Sequence, residues 1–550
     1  MRNRTVSLLT IPLLVVSMAG LGTAIPIARA KAPPSPLVIG SDYGSPTFTD
    51  NFNPFSPTAR QGWIDIFEPL MVVDALTGKV TPWLATSYHW VSSTQLTFTI
   101  RSGVKWNNGK PFSAKDVAYT FNLLHKYPAL DTNGLWDVLS RVYARGNQVV
   151  FDFSKPDVPE FSLIAQTPIV PAFQWSKAVS PVKFTDTAAI GTGPFMVATF
   201  HPSEYTLKPT PYYWDKRLMK VTGIDYPAMT GAQTDDLLLS EGKFDQAVLF
   251  EPGIQKAYVS RNPKYYHYWF PLASPVSLYL NLTQAPFNKV KFRQALAYAI
   301  NRQRINHNGE YGYEPPANQS LLPPTLDQKW LDMKLARKYA YHYDPAKAEA
   351  LLASIGYHKK NGALIGPNGR QVSFTLQVPT GWTDWIQDCQ IIHQELGQLG
   401  IKVRVITPSV VTDYNNVETG HYQAALVYGW NVSNPYFIYD YMLASSASAP
   451  IGQVASFNAN SERWNNAKTN TLLHELSQTT NVAKQHQIVD QLQQITFSQV
   501  PVVALVYGAA WNEYQTNHYV GWPTPKHPYA DPSQSFPDDL MVLTHLRPVK

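Results

Sequence analysis

Short apolar runs of strand character alternate with amphipathic helical runs through most of this chain, and that order favours α/β lobes. Leu37-Val38-Ile39-Gly40 reads as a buried strand, followed by a Gly-, Pro- and Asn-containing loop over Asp42–Pro57. In Gln95–Arg101, Leu96, Phe98 and Ile100 share one face while Thr97 and Thr99 take the other, the pattern of a half-buried strand. Further strand-like runs are Val372–Val378, Ile401–Ile406, Ala424–Tyr428 and Val502–Tyr507. Between them lie helical signals. Ser113-Ala-Lys-Asp116 is a capping pattern in which the Ser hydroxyl is placed to accept free backbone N–H groups, and Val117, Phe121 and Leu124 follow on one face. Helices are also expected from about Lys289 to Arg304, from Asp344-Pro345 to Gly356, and as one long region over roughly Thr469–Ser498.

With 550 residues the chain exceeds what one core accommodates, about 250–300 residues, so two or three packed units are expected. The single cysteine, Cys389, excludes a disulfide framework and any multi-cysteine zinc or iron–sulfur site. It sits in the expected helix Asp384–Leu399, where a packed thiol is the expected state. The formal charge is +6, and there is no basic cluster of nucleic-acid type. Charged residues make up 15%, below the usual quarter, which suits an acidic medium in which fewer carboxylates must protonate. Aromatics are plentiful, at 15 Trp, 31 Tyr and 24 Phe; most fill cores, and a subset is expected to line a cleft.

Arg2 and Arg4 precede an apolar run from Val6 to Leu21, and Ala28-Arg29-Ala30 supplies the small residues of a cut site. That is the form of a secretory signal, with cleavage expected after Ala30 and an uncleaved anchor as the alternative. Pro12 and Pro26 oppose a stable spanning helix. The signal region contains no cysteine to accept a lipid, so the expected location is the periplasm or the outer face of the cell membrane, without lipid attachment.

Motifs in order along the chain carry a family resemblance. Val80-Thr-Pro-Trp-Leu-Ala85, then Leu96-Thr-Phe-Thr-Ile-Arg-Ser-Gly-Val-Lys-Trp106, then Asn108-Gly109-Lys-Pro-Phe-Ser-Ala-Lys-Asp-Val-Ala118 lead. Gly191-Thr-Gly-Pro-Phe195, Ser240-Glu-Gly-Lys-Phe-Asp245, Asn281 with Pro286-Phe287 and Val290–Ile300, and Tyr343-Asp-Pro-Ala-Lys-Ala-Glu-Ala-Leu-Leu-Ala-Ser-Ile-Gly-Tyr357 follow. The set resembles family 5 of the extracellular solute-binding proteins, the peptide-, nickel- and oligosaccharide-binding receptors of ABC importers. Most of these residues have structural duties: the glycines serve turns, and Arg293 is expected in an internal ion pair.

The resemblance implies a two-lobed periplasmic-binding-protein fold of class II (cluster C) type with an extra inserted subdomain. The expected division is a signal at 1–30, a spacer at 31–36, and lobe I at 37–60, 190–276 and 501–550. The inserted subdomain takes 61–189 and lobe II takes 277–500. Crossovers between lobes are expected near Ser274–Leu280 and Ser498–Ala504. The implied role is non-enzymatic capture of a small solute by lobe closure, for delivery to the permease and ATPase subunits of an importer, by a monomer with no cofactor.

The ligand class stays open between peptide and oligosaccharide. Peptide-binding relatives hold the α-ammonium with an aspartate just after a Gly-Trp pair; here Tyr428-Gly-Trp-Asn-Val-Ser-Asn-Pro435 has the pair without the aspartate. A buried ammonium without a counter-charge is costly, and Asp413 and Asp440 are the nearby substitutes. Trp511-Asn-Glu-Tyr514, Gly521-Trp-Pro523 and His527-Pro-Tyr529 look like the ending of the subgroup that includes β-linked oligosaccharide binders. Tyr43, Trp430, Asn431, Ser433 and Trp511 are the expected cleft residues. No metal site is expected: the 14 histidines are scattered, and His474-Glu475 lacks a second His at the metalloprotease spacing. An exported glycoside hydrolase or peptidase is the rival class, but no Gly-x-Ser-x-Gly elbow is present.

Overall fold

Two sheets with parallel strands at their centres organise the protein, each in its own lobe. The computed structural model describes residues 35–42, 47–229, 232–429, 433–455 and 459–549; the expected signal at 1–30 lies outside them. No helix of the described residues is long and apolar enough to cross a membrane.

The lobe I sheet runs in the order Tyr266–Tyr268, Glu513–Gln515, Gln246–Ala247, Leu37–Gly40, Ile224–Pro227, Glu204–Pro209, Phe195–His201. Leu37–Gly40 is parallel to both neighbours, Ile224–Pro227 and Gln246–Ala247, and buried on both sides as a central parallel strand must be. A four-stranded antiparallel sheet, Ala85–Ser92, Gln95–Ile100, Gln148–Phe153 and Leu139–Arg145, packs with helix Ala114–Lys126 and shares the lobe I core. Leu96, Phe98 and Ile100 point into that core as the alternation requires, but Thr97 is only 5% exposed, so the polar face is covered as well. At the cap of the helix, Asp116 Oδ2 accepts from both the backbone N–H and the hydroxyl of Ser113.

The Gly191-Thr-Gly-Pro-Phe195 turn explains its glycines by close approach. A Cβ on Gly191 would lie 1.8 Å from the Ile66 carbonyl oxygen, and one on Gly193 would lie 2.5 Å from that of Asp65. The turn also receives backbone bonds: Gly193 N–H donates to Ile66 O at 2.8 Å, and Asn107 N–H donates to Gly191 O at 2.8 Å.

The lobe II sheet runs Lys402–Ile406, Ser373–Gln377, Ala424–Tyr428, Leu272–Leu280, Val503–Ala509. Helices cover both faces. Val276, Leu278 and Leu280 meet the helices Val290–Ala299, Pro345–Ala353 and Thr383–Gln398, while Tyr279 meets Pro435–Leu443, Ala467–Ser477 and Val482–Gln499. Burial of each large side chain in such layers stabilises by about 1.5–3 kcal/mol. The register slips between Val276/Val506 and Ser277/Ala504, a bulge that sends both Leu505 and Val506 to the same core.

Three expectations need correction. The long helix over Thr469–Ser498 is two helices, Ala467–Ser477 and Val482–Gln499, because Asn481 caps the second through its Oδ1 on Lys484 N–H at 3.0 Å. Arg293 has no ion pair within bonding distance among the described residues; its guanidinium donates to the carbonyls of Phe287, Gln499 and Val500, and Glu462 acts on it only through its charge. The segments Ser274–Leu280 and Ser498–Ala504 are not the crossovers. Leu272–Leu280 and Val503–Ala509 pair antiparallel within lobe II, and the chain passes between sheets at 269–271 and 510–512. There, Trp269 N–H donates to Asn512 O at 3.0 Å and Ala510 N–H donates to Pro271 O at 2.9 Å.

Candidate ligand cleft

In open α/β sheets the crevice outside the carboxyl ends of parallel strands is where ligands bind, because side chains and backbone groups converge there from several loops. In lobe I these ends are Gly40, leading to Ser41-Asp42, and Ala247, leading to Phe250. In lobe II they are Gln377, leading to Trp382, and Tyr428, leading to Gly429. The two crossovers join these edges, and aromatic side chains gather on both sides of the join.

Trp511, on the second crossover, stands edge-on to Phe270 of the first at 4.8 Å between centroids, to Phe250 at 5.3 Å and to Tyr313 at 6.0 Å. Phe250 also meets Tyr311 at 6.1 Å. Tyr313 reaches from lobe II into lobe I, its hydroxyl accepting from Ile254 N–H at 2.9 Å. On lobe II a second group forms: Trp382 meets Trp385 at 4.8 Å and Tyr414 at 6.4 Å, and Trp385 meets Tyr428 at 6.2 Å. Tyr311 is 52% exposed and Tyr428 36%, so ring faces of this set remain open to a ligand.

Around the aromatics the charged groups are mostly acids. Glu251, beside Phe250, is pushed up to about 7 by burial and by Asp236. Ala509 N–H donates to Glu314 Oε1 at 2.8 Å at the end of the crossover strand, and burial with nearby Glu310 raises the Glu314 carboxyl. Asp384, in the first turn of Thr383–Gln398, is raised by burial too. Among the expected ammonium partners, Asp413 is fully buried with its Oδ1 on Gln377 Nε2 at 2.9 Å, and Asp440 faces Tyr436 and Asp157.

Of the residues expected from sequence, Trp511 is half-buried within the first aromatic group, and Ser433 is half-buried at the lobe II edge. Ser433 faces the Gly78 turn of the opposite lobe: a Cβ on Gly78 would lie 3.4 Å from Ser433 Cβ. Tyr43, Trp430 and Asn431 lie outside the described residues. Sequence reading missed Phe250, Phe270, Tyr311, Tyr313, Trp382 and Tyr428. For Phe250, Trp382 and Tyr428 the available signal was position, at or just past the last residue of a parallel strand; for Tyr311 and Tyr313 there was none, since they arrive from a loop far away in sequence. Cys389 is buried against the lobe II core on helix Thr383–Gln398, as a structural thiol, and burial pushes it up. Among the described residues no group of three His, Cys, Asp or Glu is placed to hold a metal ion.

Comparison with known proteins agrees with this layout. Residues 79–450 match the family model described as bacterial extracellular solute-binding proteins, family 5 middle. The nickel-binding periplasmic protein of Escherichia coli K12 is 28% identical over 382 residues, 65% of this chain and 68% of its own length. The glutathione-binding protein of Salmonella paratyphi A is 28% identical over 340 residues, 60% of this chain and 61% of its own. Among solved structures, the periplasmic oligopeptide-binding protein of an oligopeptide ABC transporter from Thermotoga maritima superposes with a TM-score of 0.86 at 27% identity. It covers 93% of this chain and 99% of that one. Its mannohexaose-bound form superposes with a TM-score of 0.80 at 27% identity, over 93% and 98%. With a family match across most of its length and a cleft built where such folds bind, this chain belongs to the family 5 bacterial extracellular solute-binding proteins.

Proposed function

We propose that this protein is the extracytoplasmic substrate-binding component of an ABC importer, exported by its N-terminal signal, monomeric, and closing its two lobes on an oligopeptide for delivery to the permease and ATPase subunits. The observation that supports this best is the pair of hydrogen-bonded crossovers carrying Phe270 and Trp511, which lets two rigid lobes close about one short ribbon. Tyr43, Trp430, Asn431, Ser433 and Trp511 are assigned to ligand contact, with Phe250, Tyr311 and Tyr428 added from the geometry. In the peptide reading Glu251 supplies the counter-charge to the α-ammonium, in place of the aspartate absent after Gly429-Trp430. The relatives are named for nickel, glutathione and oligopeptides, which supports small-solute capture and leaves turnover chemistry without a candidate.

A second reading, a manno- or cello-type oligosaccharide, is favoured by one observation: the relative with mannohexaose bound, combined here with an aromatic crevice suited to stacking on sugar rings. A melting series with di- to pentapeptides, cello- and manno-oligosaccharides and nickel separates the two. A ligand at about 100 times its dissociation constant stabilises by roughly 2.7 kcal/mol. A shift with peptides alone supports the first reading, and a shift with oligosaccharides alone replaces it. A shift with nothing in the panel removes both.

A further inference from the structure

A second bridge between the lobes lies away from the crossovers. Residues 154–160 belong to the inserted sheet's side, anchored by Phe161, whose ring packs on Tyr88 at 4.3 Å and stacks on Phe98 at 5.9 Å. This segment meets two lobe II helices. Val158 N–H donates to Ser477 O at 2.9 Å, at the end of Ala467–Ser477. Asp157 and Glu160 face Asp440, Tyr436 and Tyr441 of Pro435–Leu443.

The contact is made of acids. Asp157 is 6% exposed and Glu160 7%, and Asp157 Oδ1 and Glu160 Oε1 have no hydrogen-bond partner. Asp440 bonds the Tyr436 hydroxyl. Asp131 and Asp137, from the loop behind, add negative charge towards Glu160, and Lys155 supplies positive charge towards Asp157 and Asp440. On Ala467–Ser477 the titratable side chains Lys468, His474 and Glu475 are exposed. Two buried carboxyls and the half-buried Asp440 cannot all stay ionised at such an interface. Neutralisation therefore falls to protons.

We propose that this contact is a proton-operated latch, which holds the lobes closed in acid and releases them as the pH approaches neutrality. Its purpose rests on the receptor reading above. Burial, then the neighbouring acids, push Asp157 up to about 7 and raise Glu160 well above the usual carboxyl range, while burial alone pushes Asp440 up to about 6 against the Tyr436 hydroxyl and Lys155. When the lobes part, the three regain water and fall back towards about 4. The closed form thus holds more protons than the open form. By linkage, closure is unpenalised below about pH 4 and loses ground as the pH rises to about 7.

The test reads the lobes directly, without ligand. Ser87→Cys and Thr471→Cys place labels on exposed positions of the two sides, while buried Cys389 stays unlabelled. Distance distributions between the labels should show the closed-to-open ratio falling by at least about tenfold between pH 5 and pH 8, the effect of one proton site shifted by a unit or more. Asp157→Asn with Asp440→Asn should leave a shallower dependence over that range, the part that Glu160 alone supplies. An unchanged distribution in the parent protein overturns the latch, and so does a double variant that keeps the parent's pH dependence. If the double variant fails to fold by circular dichroism, the parent series alone decides. A pH-dependent distance in a protein that binds nothing in the ligand panel supports the latch while removing the receptor reading, so the two fail separately.

Discussion

The Trp511 ring stands edge-on to Phe270 at 4.8 Å, and these two side chains belong to the two separate passages of the chain between the lobes. The pair therefore sits at the pivot and at the floor of the cleft together. Edge-to-face pairs stabilise by about 0.5–1.5 kcal/mol beyond area burial. Replacing Trp511 with Ala removes three ring contacts at once. Expected is a destabilisation of about 2 kcal/mol, read as a lower melting temperature, and a ligand dissociation constant weakened by roughly tenfold or more in calorimetry.

Gly191 offers a sharper structural test. A methyl group there would sit 1.8 Å from the Ile66 carbonyl oxygen, which is backbone and cannot swing away. Gly191→Ala should cost roughly 3 kcal/mol or more, or prevent folding. Gly397→Ala is the control: its Cβ would meet nothing within 4 Å, and a helical glycine replaced by alanine gains about 0.5–1 kcal/mol. Equal melting temperatures for the two variants would refute the close-approach account.

Stability should peak in acid. Burial pushes Glu68 and Asp186 up to about 7 and Asp413 up to about 6. An acid raised in the folded state contributes fully below its unfolded value, about 4, and that contribution is lost as the pH rises through the folded value. Melting temperature should therefore decline between about pH 5 and pH 8. Glu68 accepts from the indole N–H of Trp83 at 2.7 Å and of Trp214 at 3.0 Å, and Gln can still accept both. Glu68→Gln should flatten part of the decline, by at most roughly 3 kcal/mol. A profile that peaks at pH 7 or above would contradict this, and would also remove the reading of low charge content as fitness for an acidic medium.

Cys389 should resist modification. Its thiol is fully buried between Asp388 and the lobe II core, and burial raises it well above the usual thiol range. A water-soluble disulfide reagent should label it only after denaturation; stoichiometric labelling of the native protein would show that helix Thr383–Gln398 opens on its own.

Much of the fold was legible because local periodicity and tertiary burial agree. Leu37–Gly40, Ala424–Tyr428 and the helix opening at Pro345 stand where their patterns placed them. The break at residues 478–481 was missed although Ser477-Gln-Thr-Thr-Asn481 interrupts the apolar spacing, because the helical pattern on either side is similar and the Asn481 cap fixes the new start. The crossovers were set inside what proved to be paired strands, because Val503–Ala509 looks the same in sequence whether its partner is in one lobe or the other.

What the sequence by itself determined is the inventory: alternating elements, a single thiol, few charges, many aromatics, and glycines where backbone must touch backbone. Tertiary structure alone decided which of those aromatics share a cleft. Phe250, Phe270, Tyr313 and Trp511 come from four separate stretches of chain, and Asp157 meets Asp440 across nearly three hundred residues. The physical reason is that periodicity reports only on neighbours a few residues apart, whereas contacts across a hinge are set by sheet order and by where the chain changes lobes.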